Sequence, residues 1–459
     1  MSTPYDVINP STGRTIRAVH HASLEETDAV IARAHAAAPA WARVDPADRG
    51  RLLRRFADVV DAHLAELAEL EIENAGHTRG NAMWEAGNVR DVLHYYAAAP
   101  ERLCGKQIPV AGGIDLTFQE PLGVVGVIVP WNFPMPIFGW AVGPALAAGN
   151  TVVVKPAELT PFTALRLAEL ALEAGLPEGV LNVVPGEGPV VGQRFVTHPD
   201  VRKVCFTGST AVGKGLMALA ADDLTRVTLE LGGKSANIIF ADCDVDAAAA
   251  AAPGAVFDNA GQDCCARSRI LVQRSVFDRF MESMEPAVQA VRVQDPSLNG
   301  DADMGPLISD TQRQRVRGFV EDADSAVQIA FRGDAPDGAG WWYPPTVVVP
   351  TGTSDPLWQE EIFGPVVSVL PFEDEADAIA MANHTAYGLA GSIWTDNLGR
   401  GLRVARGVRA GNLSVNSHSA VRYSTPFGGF KSSGLGRELG PDALDAFTET
   451  KNVFISTAH

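Results

Sequence analysis

Residues 121–154 read PLGVVGVIVPWNFPMPIFGWAVGPALAAGNTVVV, 34 residues without one charge. That exceeds the ~18 apolar residues that raise the suspicion of a transmembrane helix. Pro130, Pro134, Pro136 and Pro144 argue against a continuous span, because each lacks a backbone donor and crowds the preceding turn. The better account is a buried strand over 122–129, an irregular Trp131-Asn132-Phe133-Pro134 loop, an apolar helix, and a second strand over 151–154. An uncharged loop held between two core elements is the first hint of a site.

The same grammar continues outward. Short β-branched runs at 181–184, 204–206, 227–231 and 237–240 alternate with helical segments. Thr160-Pro161 reads as an N-cap with proline at the first helical position, ahead of a helix over 165–174. Strand–helix alternation of this kind predicts a parallel sheet covered on both faces. A second α/β block runs from about 234 to 432, with a helix over 276–291 and strands such as 346–349. Upstream, Ser23-Leu24-Glu25-Glu26 is a capping box, followed by helical spacing through Ile31, Ala34 and Ala38 and again over 52–70. Further strand-like segments stand at 114–118 and 453–455.

The 459-residue chain carries 37 Lys+Arg against 55 Asp+Glu, a net charge of −18, with 46% hydrophobic residues. This is globular composition, long enough for two or three domains with cores of their own. The acidic balance argues against nucleic acid or an anionic membrane as partner. Five cysteines (Cys104, Cys205, Cys243, Cys264 and Cys265), without a C-x-x-C pair, indicate neither a disulfide framework nor a zinc ribbon. A reducing, cytoplasmic setting is the expectation, since no apolar export signal opens the polar first 15 residues.

A thiolate is the strongest common side-chain nucleophile near neutral pH. Cys264 and Cys265 stand in Gly261-Gln262-Asp263-Cys264-Cys265-Ala266-Arg267, between an alanine-rich helix and a strand over 270–273. Glu230, in Leu229-Glu230-Leu231-Gly232-Gly233-Lys234, ends an apolar strand beside two glycines. Burial there raises a carboxylate's pKa and makes it a usable base. Asn132 is the one amide of the uncharged loop, and a fixed NH2 donor in an apolar setting suits an oxyanion. Each has a structural alternative: a small buried hydrophobe, a solvated strand-end carboxylate, a loop amide paired with backbone. Together they are the parts of acyl transfer through a thioester. For a redox partner, Phe206-Thr207-Gly208-Ser209-Thr210 follows a strand and opens a helix, where free amides and the helix dipole receive a phosphate. Lys155-Pro156-Ala157-Glu158 offers an acidic residue for a ribose diol, whereas the glycines at 186–192 miss the G-x-G-x-x-G spacing.

With these pieces in order, the chain resembles the aldehyde dehydrogenase superfamily from Asn9-Pro10 to about Val453. Eight ordered motifs carry the resemblance: residues 130–134, 155–158, 206–210, 230–234, 261–264, 361–366 (EIFGPV), 383–389 and 426–440 (PFGGFKSSGLGRELG), with Cys264 standing 34 positions after Glu230. The resemblance implies an α/β, aldehyde-dehydrogenase-like fold. Its parts are a Rossmann-like cofactor domain (1–103 and 122–232), an α/β catalytic domain (233–432) and a small bridging β-sheet (104–121 and 444–459) that pairs with another subunit, giving a homodimer or homotetramer. It implies NAD as cofactor, an aldehyde and water as substrates, and no metal. Cys264 is then the nucleophile, Glu230 the general base, and Asn132 with the Cys264 backbone amide the oxyanion hole. Lys155 and Glu158 become adenine-ribose contacts, Ser209 a pyrophosphate contact, and Glu361 and Phe363 contacts on the nicotinamide side. Trp131, Gly208 and Leu231 join the cofactor path. Trp140, Ile137 and Phe427 belong near the aldehyde tunnel, with Cys265 and Asp263 beside the nucleophile.

The implied reaction is oxidation of an aldehyde to its acid through a Cys264 hemithioacetal and thioester, hydrolysed with Glu230. Glu158 repels a 2′-phosphate, so NAD is expected over NADP. A CoA-acylating semialdehyde dehydrogenase and a catalytically silent protein on the same scaffold are the alternatives. Two positions depart from the family pattern. Asp263 replaces a hydrophobic or small residue; it either attracts a cationic aldehyde, or turns to solvent or pairs with Arg267. Arg267 also replaces a small residue and is a candidate carboxylate binder.

Overall fold

The uncharged stretch folds into strand β5 (Val124–Ile128), a loop, helix α5 (Pro134–Ala147) and strand β6 (Thr151–Lys155). The structure, a computed structural model, describes residues 4–457 apart from 299 and 420, so the outermost residues of the expected domain boundaries, 1–3 and 458–459, lie outside the described residues. Every residue of α5 is buried. Pro134 and Pro136 occupy its first turn, where no backbone donor is needed. Gly139 and Gly143 lie against helix α4 (Arg79–Ala97); a Cβ at either would come within 3.3 Å of Val89 or 3.2 Å of Val92 and Tyr96. Among the described residues no helix is long and apolar enough to cross a membrane.

Helices α1 (Leu24–Ala42), α2 (Pro46–Ala62) and α3 (Leu64–Ala75) precede α4. Both arms of the capping box form, with Glu26 N–H donating to Ser23 Oγ and Ser23 N–H donating to the Glu26 carboxylate. The helical run over 52–70 is broken at His63, where φ −116° and ψ 14° leave helical geometry. Thr160 does not cap: helix α6 (Phe162–Glu173) starts after Pro161 as its N-cap, and the Thr160 hydroxyl is buried without a partner.

Strands β7 (Leu181–Val183), β8 (Val201–Thr207), β9 (Arg226–Glu230) and the two-residue β17 (Gly434–Leu435) join β5 and β6 in a six-stranded sheet ordered β17-β9-β8-β5-β6-β7. All neighbours are parallel except β17 against β9. The chain winds outward from β5 through β6 to β7, passes the short helix α7 (Gln193–Thr197), and returns to β8 on the other side of β5. That reversal leaves a crevice at the carboxyl ends of β5 and β8, the usual ligand position in such sheets.

A second sheet holds β10 (Ala236–Ile239), β11 (Arg269–Gln273), β12 (Gln328–Arg332), β13 (Thr346–Val349), β14 (Val366–Phe372), β15 (Ala390–Trp394) and β16 (Asn412–Val415), ordered β12-β13-β14-β11-β10-β15-β16. It is parallel except at β12. Helices α8 (Thr210–Asp223), α9 (Val245–Phe257), α10 (Phe277–Gln289), α11 (Asp310–Glu321), α12 (Pro356–Gln359), α13 (Glu375–Asn383) and α14 (Leu398–Gly407) complete the two blocks. Strands β1 (Tyr5–Asn9) and β2 (Arg14–Val19) form a hairpin. The segments at 114–118 and 453–455 lie within longer strands, β4 (Gly113–Pro121) and β18 (Thr448–Ser456), which with β3 (Gln107–Val110) make an antiparallel sheet ordered β18-β4-β3. Its Ile108, Ile114, Phe118, Phe454 and Ile455 side chains are exposed.

Candidate active site

Four adjacent strand ends of the first sheet carry the candidate residues. Strand β9 ends on Glu230; β8 ends on Thr207, followed by Gly208 and Ser209; β5 runs into the Pro130–Phe133 loop; β6 ends on Lys155, three residues before Glu158. Ser209 is the N-cap of α8, its hydroxyl accepting from Val212 N–H at 3.3 Å. Cys264 arrives from the other sheet, on the loop between α9 and β11. That loop holds three consecutive left-handed residues: Asn259 (φ 50°), Ala260 (φ 53°) and Gly261 (φ 70°). Such backbone is costly for non-glycine residues and persists only where surroundings enforce it. Here Asn259 Nδ2 donates to Asn132 O at 2.7 Å, and Asn132 Nδ2 donates to Gln262 O at 2.9 Å. Gln262 Oε1 accepts from Ile308 N–H at 2.9 Å. The amide and thiol loops are thereby fastened to each other.

Two cavities meet at this junction, and Asn132, Thr207 and Cys264 line both. The first, about 550 Å³, is aromatic: Ile137, Trp140 and Phe427 line it with Cys265 and Asp263, and so do Trp84 and Phe133. The Trp140 and Phe427 rings meet edge-on at 5.1 Å, and Trp140 Nε1 donates to Asn88 Oδ1 at 2.8 Å. The second, about 250 Å³, is lined by Trp131, Gly208, Ser209, Glu230, Leu231, Glu361 and Phe363. Trp131 and Phe363 meet edge-on at 5.3 Å. Lys155 and Glu158 line neither of these cavities. Lys155 Nζ donates to Pro156 O at 2.8 Å and stands 3.4 Å from Glu158, whose Oε1 accepts from Gly188 N–H at 2.7 Å.

Glu230 is buried and neither of its carboxylate oxygens has a hydrogen-bond partner. Burial, then the charge of Glu438, push its carboxyl well above the usual carboxylate range, with Arg437 opposing. Glu438, also buried, is itself pushed up to about 7 by burial. Glu361 accepts from Gly233 N–H at 2.7 Å, yet burial raises it to about 7. Gly232 leaves room for that carboxylate, since a Cβ there would collide with it. A hydrogen bond with Cys265, then burial and the charges of Cys265, Asp263 and Glu361, hold Cys264 well above the ordinary thiol value.

Asp263 is half-buried, and the Arg267 charge acts on its carboxyl without a close ion pair. Its Oδ1 accepts from Cys265 N–H at 2.8 Å, which closes a tight turn and places the residue in the wall of the aromatic cavity. Arg267 is buried and tied inward: Nε donates to Ser392 Oγ at 3.0 Å, Nη1 to Cys265 O at 2.5 Å and Nη2 to His418 O at 3.1 Å. Glu438, Gln312, Arg315, Trp84, Asp258 and His418 were not singled out from the sequence. For Glu438 the signal existed, since it lies within the 426–440 motif, and its backbone bridge to Phe427 seats it near Glu230. The other residues come from helices and loops whose sequence carries no chemical pattern.

The description "Aldehyde dehydrogenase family" belongs to the family model that matches residues 1–453. An aldehyde dehydrogenase of Emericella nidulans is 42% identical over 453 residues, covering 98% of this chain and 91% of that protein. The mitochondrial succinate-semialdehyde dehydrogenase of Arabidopsis thaliana is 42% identical over 450 residues, 97% of this chain and 85% of that protein. Among solved structures, the betaine aldehyde dehydrogenase of Staphylococcus aureus in complex with NAD+ is similar at a TM-score of 0.95 and 36% identity, over 98% of this chain and 91% of that one. A match of this extent, in sequence and in fold, means that the chain belongs to the aldehyde dehydrogenase family.

Proposed function

We propose that the chain catalyses the NAD-dependent oxidation of an aldehyde to its carboxylic acid, with Cys264 as nucleophile, Glu230 as general base and Asn132 as oxyanion donor. The observation that carries this reading is the position of Cys264 in a wall common to two cavities. The aromatic cavity takes the aldehyde, with Ile137, Trp140 and Phe427 as its walls. The strand-end cavity takes the nicotinamide side of the cofactor.

The residues present fit NAD. Ser209 opens α8, whose first amides suit a pyrophosphate. Lys155 and Glu158 supply a donor and an acceptor for a ribose diol at the next strand ends, and the Glu158 charge disfavours a 2′-phosphate. Glu361, Phe363, Trp131, Gly208 and Leu231 hold the nicotinamide end. When bound, the cofactor supplies a hydride acceptor and a positive charge beside the thiol. The protein does the rest. Cys264 gives its proton to solvent, the thiolate adds to the carbonyl carbon, and Asn132 with the Cys264 amide holds the oxygen that becomes negative. Reformation of the C=O bond expels hydride and leaves a thioester on Cys264. Glu230 takes a proton from water, which attacks the thioester and releases the acid. A buried carboxylate with free oxygens favours transfer to water over transfer to CoA.

In this reading the first sheet with the N-terminal helices (1–103, 122–232) is the cofactor domain, 233–432 the catalytic domain, and 104–121 with 444–459 the bridging sheet. A nucleophilic thiol among five free cysteines suits a reducing compartment such as the cytoplasm. The test is an aldehyde panel with NAD, spanning aliphatic, aromatic, cationic and carboxylated substrates and followed by NADH absorbance. Wild-type protein is expected to form NADH with at least one class, and Cys264→Ala to bind NAD without turnover. Near-normal turnover in that variant would overturn the assignment. Stimulation by CoA with acyl-CoA as product would replace hydrolysis by acyl transfer.

A further inference from the structure

A second group of ligating side chains stands outside both cavities. Glu71 on α3, Glu85 on α4 and His77 in the turn between them bring two carboxylate oxygens and one imidazole nitrogen within 4.8 Å of one another. All three are buried, with relative exposures of 0%, 0% and 2%. His77 Nδ1 lies 2.5 Å from Glu85 Oε1 and 3.8 Å from Glu71 Oε1. The turn that aims His77 is fixed by Gly76, left-handed at φ +73°, where a Cβ would stand only 2.7 Å from Pro306 and 2.9 Å from Pro10.

The hydrogen bonding of this group is incomplete. Glu85 Oε2 is buried without a partner, and Glu71 faces only the Thr163 hydroxyl and the His77 ring, with no hydrogen bond of good geometry to either. Buried carboxylates without compensation are strongly destabilising. One imidazole nitrogen, already engaged with Glu85, does not serve two carboxylates. A divalent cation does. One imidazole, two carboxylates and a hydroxyl form a nitrogen–oxygen donor set of the kind that Zn2+ and its first-row neighbours accept. Ligand atoms about 2.1 Å from a common metal stand at most about 4.2 Å apart, so the trio reaches that geometry with shifts of under about 1 Å.

We propose that Glu71, His77 and Glu85 form a structural site for a divalent first-row cation such as Zn2+. The other ligand-like trio, Asp263, Cys264 and Cys265, belongs to the active site. The proposed site clamps α3 to α4 behind the loop that carries Asn132: the His77 and Phe133 rings lie 5.8 Å apart, and Phe133 lines the aldehyde cavity.

The experiment is titration of chelator-stripped, full-length protein with Co2+, a coloured stand-in for Zn2+, read by visible and near-ultraviolet absorption. The site predicts about one equivalent of Co2+ per chain, with ligand-field bands and no thiolate-to-cobalt charge-transfer band. The spectrum should persist in the Cys264→Ser/Cys265→Ser protein and vanish in Glu85→Gln and His77→Gln. Absence of saturable binding, a thiolate band, or loss of the spectrum in the cysteine variant would each overturn the proposal. Should Glu85→Gln fail to fold, the donor signature of the wild-type protein and the cysteine variant still decide.

Discussion

The neighbouring Cys265 thiol, then burial and the carboxylates Asp263 and Glu361, oppose ionisation of Cys264. Burial, then the charge of Glu438, hold the carboxyl of Glu230, the only base proposed, well above the usual carboxylate range. A base must be ionised to take a proton from water, and a raised carboxyl ionises later, so turnover should rise with pH beyond the range where ordinary carboxylates titrate. Glu438 sharpens the sign. Its value of about 7 means that it carries charge, and repels the Glu230 carboxylate, mainly above pH 7. Glu438→Gln removes that repulsion, lowers the value of Glu230, and should move the rising limb of the kcat–pH profile to lower pH. A limb that stays in place or moves upward contradicts the electrostatic account. Asn132 offers a second test at this scale. Loss of one oxyanion donor costs ~10²–10³ in rate, so Asn132→Ala should keep NAD binding and retain weak turnover. Its Nδ2 also braces Gln262 O, so a melting curve should accompany the kinetics. Turnover within about tenfold of wild type would remove Asn132 from the oxyanion role.

Among the elements, the loop between α9 and β11 decides where the thiol stands. Gly261 follows two left-handed non-glycine residues, and a Cβ on it would lie 2.1 Å from Gly364 O. Gly261→Ala should therefore destabilise by at least the ~1–3 kcal/mol typical of overpacking, and should lower turnover by displacing Cys264. Urea denaturation with parallel kinetics checks both; unchanged stability would mean that the loop relaxes freely. The sequence reveals Cys264 and its glycine but not this conformation, because Asn259 and Ala260 are not residues that announce a left-handed turn. The contacts that enforce it come from Asn132 and Ile308, remote in the chain. Strand and helix order was readable from the apolar runs, and Trp131, Glu230 and Phe427 stood in recognisable motifs. The Asp263 turn, the inward ties of Arg267 and the failed Thr160 cap were not readable, since each depends on which partner the fold brings within reach. Glu438 was present in a quoted motif, and only its burial near Glu230 gives it a consequence.

For the molecule as a whole, two α/β blocks face each other so that strand ends of one meet the thiol loop of the other. The antiparallel β18-β4-β3 sheet presents exposed Ile114, Phe118, Phe454 and Ile455. Apolar strand surface of this kind is an aggregation liability unless covered, and a second copy of the chain is the expected cover. Phe454→Asp should lower the mass seen by sedimentation velocity; a wild-type protein that sediments as a monomer would contradict the bridging role. The net charge of −18 bears on solubility and leaves the chemistry untouched. The chemistry itself is tested most directly by rapid mixing of Glu230→Gln with aldehyde and NAD, followed by intact-mass analysis of the quenched protein. The account predicts a burst of about one NADH per active site, an acyl adduct on Cys264, and slow turnover afterwards. Wild-type steady turnover with neither burst nor adduct would contradict it.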